Sequence, residues 1–283
     1  MKNNIENQNK VPKLINYNAL FIYSLIVIIS YGLIMFYENS MIFFGTKYSD
    51  KDRLYGNYVN GVNGSNFKKV FFSYKNEKIE LFTNIKENNN KNVVFLGGNA
   101  EDVSFNLRTL NQMFPNYNIY TFNYPGYGES TGKSDEENIT DLISYFIKEK
   151  KLDNGNLVLM GRSLGTGFAT KYASTSDKLN KLILISPYYS LESVVNDEYV
   201  FLPKFITNII MKNKIETYKY AEKVTAKTLI VYTPNDLVIK KENTLKLTEH
   251  FKDREIGAVD GESHPSILIA EKTIEIINKF TKN

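Results

Sequence analysis

The chain has no cysteine and no tryptophan among its 283 residues, and only two histidines, His250 and His264. Without cysteine there are no disulfides and no thiolate metal sites. Two histidines exclude a histidine-rich metal centre. An excess of charge is missing as well. The net charge is +4, and no lysine-arginine block is dense enough to argue for nucleic acid as a partner. What remains is a length sufficient for one large α/β domain with a full core.

Charge is also absent from one long stretch. After a polar tail over residues 1–13, residues 14–37 carry none, and Leu, Ile, Val, Phe and Tyr dominate Ala19 to Phe36. A bilayer core needs about 20 apolar residues in helical form, so this run predicts one transmembrane anchor. A cleaved signal peptide would have a shorter apolar part ending in small residues. Here Tyr37-Glu38-Asn39-Ser40-Met41 follows instead. A single-pass membrane protein results. Lys10 and Lys13 against Glu38 place the N-terminus inside, although Lys47, Lys51 and Arg53 bring the wider count level.

Residues 38–66 read as a connector, and residues 67–283 as one domain. Lys69–Tyr74 and Lys78–Ile85 are strand-like and joined at Lys75-Asn76-Glu77, an antiparallel pair. Strand patterns follow at Val93–Leu96, Ile119–Phe122, Leu157–Met160, Leu182–Ile185, Leu229–Tyr232 and Glu255–Val259. Helical patterns alternate with them at Ser104–Phe114, Asp135–Lys150, Leu164–Ser174, Val238–Phe251 and Ser266–Lys279. The alternation predicts an α/β fold: a mostly parallel central sheet with helices on both faces. Sites in such sheets lie at the carboxyl ends of the strands.

The sequence Gly161-Arg162-Ser163-Leu164-Gly165 fits G-x-S-x-G between an apolar strand and a helical stretch. A serine on so tight a turn needs small neighbours two places either side, and glycine supplies them. The backbone N–H of Leu164 and the start of the next helix then face the spot where an oxyanion would form. A serine nucleophile needs a base, and the base an orienting acid. Asp236 directly follows the strand Leu229–Tyr232, and a helix N-cap for Val238 onward is its other reading. His264 follows the last strand in a turn-rich loop; Asp260 is a rival acid but lies close to it in sequence. The order Ser163, Asp236, His264 is that of an α/β-hydrolase.

Five segments in order carry a resemblance. They are Met41-Ile42-Phe43-Phe44, Phe95-Leu96-Gly97-Gly98-Asn99-Ala100-Glu101, Asn123-Tyr124-Pro125-Gly126-Tyr127-Gly128-Glu129-Ser130, the elbow Gly161 to Gly167, and Ser186-Pro187-Tyr188-Tyr189-Ser190. The chain resembles the α/β-hydrolase-fold serine hydrolases. Within them it is similar to the single-pass, membrane-anchored branch that includes protein depalmitoylases and related acyl hydrolases. Gly97 departs from that branch's usual histidine, and Tyr232-Thr233 from its His-Gly. The resemblance implies backbone N–H groups of Asn99 and Leu164 as the oxyanion hole, and no metal or organic cofactor. It also implies an acyl ester or thioester substrate, with lipids and acylated proteins as candidates. Between the sixth and seventh strands, about residues 187–226, an insert reads either as a small lid or as packing on the core, with an apolar part from Phe201 to Met211. The predicted activity is serine esterase, thioesterase or lipase chemistry through an acyl-enzyme. The alternatives are a membrane-tethered scaffold that keeps the fold without chemistry, and a peptidase of the same fold.

Overall fold

The computed structural model describes residues 17–48, 66–198 and 204–282. The expected polar tail, the middle of the connector and Phe201-Leu202-Pro203 of the insert lie outside the described residues.

The domain is built on one eight-stranded sheet in the order β1-β2-β4-β3-β5-β6-β7-β8. The strands are β1 (Lys68–Tyr74), β2 (Glu77–Asn84), β3 (Asn92–Leu96), β4 (Asn118–Phe122), β5 (Leu157–Arg162), β6 (Lys181–Ile185), β7 (Lys227–Tyr232) and β8 (Arg254–Ala258). The first two pair antiparallel, and β2 runs antiparallel to β4. All remaining pairs are parallel. The crossovers bring every parallel strand to the same edge at its carboxyl end, and the loops there carry the candidate residues.

Alternation within the central strands explains the two faces. Val94, Leu96, Leu157, Leu159, Leu182, Leu184 and Ile230 share one core layer with Ile139, Phe146 and Phe168. Val93, Phe95, Val158, Met160, Ile183, Ile185, Leu229 and Val231 share the other with Leu107, Leu110, Ile277 and Phe280. Period-two side chains go to opposite faces, so strands buried on both faces read as unbroken apolar runs. Helices α3 (Glu136–Glu149) and α4 (Leu164–Ala173) cover the first face, and α2 (Leu107–Met113) and α9 (Glu271–Lys282) the second. In α3 the residues Ile139, Leu142, Ile143, Phe146 and Ile147 form the buried stripe, and Asp135 caps its start by accepting from Asn138 N–H at 2.7 Å.

The helix expected from Ser104 opens as a 3-10 turn over Val103–Asn106 before α2 begins at Leu107, and two later helix starts are delayed. The helix expected from Val238 begins at Lys241 as α8 (Lys241–Thr248), and the one expected from Ser266 begins at Glu271. In both cases the first residues are held in loop turns. Ile267 N–H bonds to Ser263 and Ile239 N–H to the Asp236 carboxylate, so local polar groups compete with the helix.

The insert divides. Its helices α5 (Leu191–Glu198) and α6 (Lys204–Ile210) lie outermost; α5 buries no residue, and Phe205 and Ile209 of α6 are exposed. From Met211 onward it joins the core. Ile215, Ala221 and Val224 are buried, and α7 (Thr217–Ala221) packs on α4.

Helix α1 (Tyr17–Ile42) covers most of the long apolar run. Residues 14–16 and the side chains of 19, 20, 31, 33–39 and 41 lie outside the described residues. Among the described residues no helix is long and apolar enough to cross a membrane, so the transmembrane anchor expected over 14–37 finds no support in the fold. Phe21 to Ser30 are exposed.

Candidate active site

Ser163 sits between β5 and α4 with φ 50° and ψ −121°, in the left-handed region that costs a residue with a side chain on the order of 1–3 kcal/mol. Its surroundings leave no other path. A Cβ on Gly165 would stand 2.3 Å from the Leu96 carbonyl oxygen, and one on Gly161 2.5 Å from the Gly165 carbonyl oxygen. The atoms that each Cβ would strike are backbone and cannot yield. The strand, the turn and the loop after β3 are pressed together here, and the serine is held at the carboxyl edge. Its backbone is fixed by Ser163 N–H to Ile185 O at 2.9 Å and by Thr166 Oγ1 to Ser163 O at 2.6 Å.

His264 reaches that serine. Its Nε2 lies 3.0 Å from Ser163 Oγ, and its Nδ1 2.7 Å from Asp236 Oδ2. A carboxylate only accepts, so the Nδ1–H donates to Asp236, and the neutral ring presents Nε2 as acceptor to the serine hydroxyl. The other Asp236 oxygen accepts from Val238 N–H at 2.9 Å and Ile239 N–H at 2.8 Å. The capping and histidine-orienting readings of Asp236 are therefore both realised, one per oxygen. Burial pushes the Asp236 carboxyl up, but its hydrogen bond and charge interaction with His264, with the Ile239 N–H, outweigh that and leave it below the usual value of 3.8. Asp260 is exposed and belongs to the preceding turn.

Leu164 is the first residue of α4, so its N–H has no carbonyl partner within the helix. Asn99 lies in the loop after β3. Its side-chain oxygen accepts from Phe44 N–H at 2.9 Å and from Tyr127 hydroxyl at 2.8 Å, which fastens the loop. Gly98 brings that loop against the serine: a Cβ there would lie 3.3 Å from Ser163 Cβ. Tyr124 hydroxyl bonds Gly97 O at 3.0 Å, and Tyr188 hydroxyl bonds Leu164 O at 3.2 Å. Burial pushes both phenols well up, so they remain donors.

His250, the other histidine, follows α8. It meets Glu222 at 3.0 Å and the edges of Tyr189 and Tyr218, which stack face to face at 4.3 Å. No sequence pattern assigns a role to Arg162 and Glu101, which pair at 2.7 Å beside the turn. The first occupies the free position of the pentapeptide, where no pattern constrains the residue. A groove of about 940 Å³ lined by Asn66, Lys69, Thr83 and Lys86 lies at the far edge of the sheet and holds none of the three hydrogen-bonded side chains. Among the described residues no cluster of acidic groups and histidines could hold a metal.

A family model described as alpha/beta hydrolase fold matches residues 91–204. The chain is 28% identical over 214 residues to a putative alpha/beta hydrolase of Acanthamoeba polyphaga mimivirus, covering 71% of this chain and 78% of that one. It is 26% identical to a lysophosphatidylserine lipase of Gallus gallus, covering 58% of this chain and only half of the lipase. Among solved structures, a Pyrococcus furiosus esterase superposes with a TM-score of 0.63 at 18% identity, covering 85% of this chain and 97% of the esterase. A bacterial membrane phospholipase A does so with 0.63 at 14% identity, covering 94% and 99%. With the strand order and the elbow geometry, these likenesses give one conclusion about architecture: the chain has the α/β-hydrolase fold.

Proposed function

We propose that the protein is a serine hydrolase that cleaves carboxylic esters or thioesters of acyl substrates and is held at a membrane by its N-terminal helix. The observation that carries this reading is His264, bonded on one side to Ser163 Oγ and on the other to Asp236. In the proposed cycle His264 takes the Ser163 proton as the hydroxyl oxygen attacks the acyl carbonyl. Asp236 holds the tautomer and stabilises the imidazolium that forms. The backbone N–H groups of Leu164 and Asn99 bind the oxyanion. His264 returns the proton to the leaving alcohol or thiol, and water then repeats the sequence on the acyl-enzyme.

Acyl substrates are supported by the lipase and phospholipase likenesses and by the apolar outer face of α6, which would serve as a lid for acyl chains. Membrane attachment is supported by the charge-free run of residues 14–37 and by the exposed apolar side chains of α1. Proposed domain limits follow: 1–13 tail, 14–37 anchor, 38–66 connector, 67–283 catalytic domain. The test is Ser163→Ala. It should abolish fluorophosphonate labelling and p-nitrophenyl ester hydrolysis while leaving the melting temperature within a few degrees. Turnover within a few-fold of wild type would remove Ser163 from the mechanism.

A further inference from the structure

Arg162 precedes the serine and ends β5. Its guanidinium fork joins two loops from different parts of the sheet. Nη1 pairs with Glu101 Oε2 at 2.7 Å, in the loop after β3. Nη2 donates to the backbone carbonyl of His264 at 3.0 Å, in the loop after β8. In the sheet order those two strands stand on opposite sides of β5, with β6 and β7 between β5 and β8. Glu101 is itself bound twice more. Its Oε2 accepts from Gly98 N–H at 2.5 Å, and its other oxygen takes the Asn106 amide. Both charged side chains are largely buried, at 13% and 9% exposure.

We propose that Arg162 and Glu101 are positioning residues that lock the loop after β3 and the His264 loop to the nucleophile turn, so that oxyanion donor and base share one frame. The inference rests on the hydrolase reading of Ser163. Geometry supplies the first half of it. Glu101 fixes the Gly98 peptide, the unit just before the Asn99 N–H, and Gly98 lies against Ser163. Arg162 fixes the His264 backbone, while Asp236 and Ser163 fix only its ring. A catalytic group held by its ring alone can tilt about its own backbone, and a displacement near 1 Å costs on the order of a hundredfold in rate.

Charge supplies the second half. A largely buried carboxylate beside the nucleophile would oppose the negative charge that develops on the substrate oxygen. Arg162 cancels it at contact distance. Without Arg162 the carboxylate is left unpaired in a dry place, which is costly by itself and hostile to the oxyanion.

The test is steady-state hydrolysis of p-nitrophenyl butyrate by the full chain, with melting temperature recorded for each variant. Arg162→Met should lower kcat by about a hundredfold with KM within about threefold, since the substrate-binding surface is untouched. Arg162→Lys should recover part of that loss, because one ammonium can pair with Glu101 but cannot also span to His264. Arg162→Met with Glu101→Gln should be several-fold faster than Arg162→Met alone, because the orphaned charge is gone. A kcat for Arg162→Met within threefold of wild type, a loss carried by KM alone, or a double variant no faster than the single each overturns the proposal. If Arg162→Met does not fold, Glu101→Gln decides. That variant keeps an acceptor for Gly98 N–H and should lower kcat about tenfold; a kcat within twofold of wild type overturns the tie. Wild-type protein inert to both the ester and a fluorophosphonate would overturn the hydrolase reading and this one with it, whereas turnover undiminished in Arg162→Met overturns the tie alone.

Discussion

Two histidines make the base a clean comparison. His264 touches Ser163 and Asp236, whereas His250 stands among Tyr189, Tyr218 and Glu222. His264→Ala should therefore lower ester hydrolysis by a factor of the order of 10⁴, the scale of losing a base that the nucleophile depends on. His250→Ala should change it by less than about tenfold, as expected of a residue remote from the chemistry. A larger loss from His250 would overturn the assignment. Asp236 gives a second residue-level prediction, in stability rather than rate. Its folded pKa lies below the ordinary value of 3.8, so its ionised form is favoured by folding. That contribution is present above the ordinary value and is lost as pH falls through the lower, folded one. The melting-temperature advantage of wild type over Asp236→Asn should accordingly persist above about pH 3.8 and shrink below it. An advantage that instead grows as the solution is acidified would reverse the sign of the argument. The three side chains were legible in the sequence because chain order and strand ends constrain them. Arg162 and Glu101 were not, because their pairing depends on two loops from non-adjacent parts of the chain meeting over one turn.

At the scale of elements, the strands were the most legible part. Val93–Leu96 and Leu182–Ile185 are short and uniformly apolar, and a strand buried on both faces must be so. Helix starts were less legible. The stretch from Val238 has helical spacing, yet Asp236 captures the Val238 and Ile239 N–H groups and delays the helix to Lys241. The insert was ambiguous in sequence for a physical reason. Its two halves do different things, α5 and α6 lying outermost and residues from Ile215 packing on α4. The turn at Ser163 yields a prediction at this scale. Gly165→Ala would set a methyl group 2.3 Å from the Leu96 carbonyl oxygen, so the β3 loop and the start of α4 would have to separate. Melting temperature should fall by several degrees and activity by at least about tenfold, since overpacking costs roughly 1–3 kcal/mol and misplaces the turn. Gly155→Ala is the control for glycine loss without a clash: nothing lies within 4 Å of its Cβ position, though its φ of 85° still carries a strain cost. Its activity should be unchanged, and equal activity losses in both variants would show that the contact with Leu96 does not set the effect.

At the scale of the whole molecule, the apolar helix and the candidate site are joined by a short segment that does more than connect. Phe43 is buried and stacks on Phe168 of α4 at 6.5 Å. Phe44 N–H bonds the Asn99 side chain at 2.9 Å, and Thr46 Oγ1 bonds Ala100 O at 3.1 Å. Gly128 N–H bonds Thr46 O at 2.9 Å, and Tyr48 meets Phe105 edge-on at 5.1 Å. Residues 43–48 thus brace the loop that would carry the oxyanion donor, and α1 leaves the domain directly beside it. The sequence showed the apolar run and the resemblance at Met41 to Phe44, but nothing in spacing alone ties Phe44 to Asn99 across 55 positions. Cutting the chain at two points separates attachment from bracing. A chain beginning at Ser40 should leave the membrane fraction and hydrolyse a short soluble ester with kcat within about threefold of the full chain, because the brace is intact. A chain beginning at residue 49 should be equally soluble but lose about tenfold in kcat, and it should melt several degrees lower, since deleting a buried Phe costs roughly 3–5 kcal/mol. Full-length protein that stays in the aqueous fraction without detergent would remove the anchor from the proposal. Equal kcat for the two shortened chains would show that residues 43–48 only lead the chain to the domain.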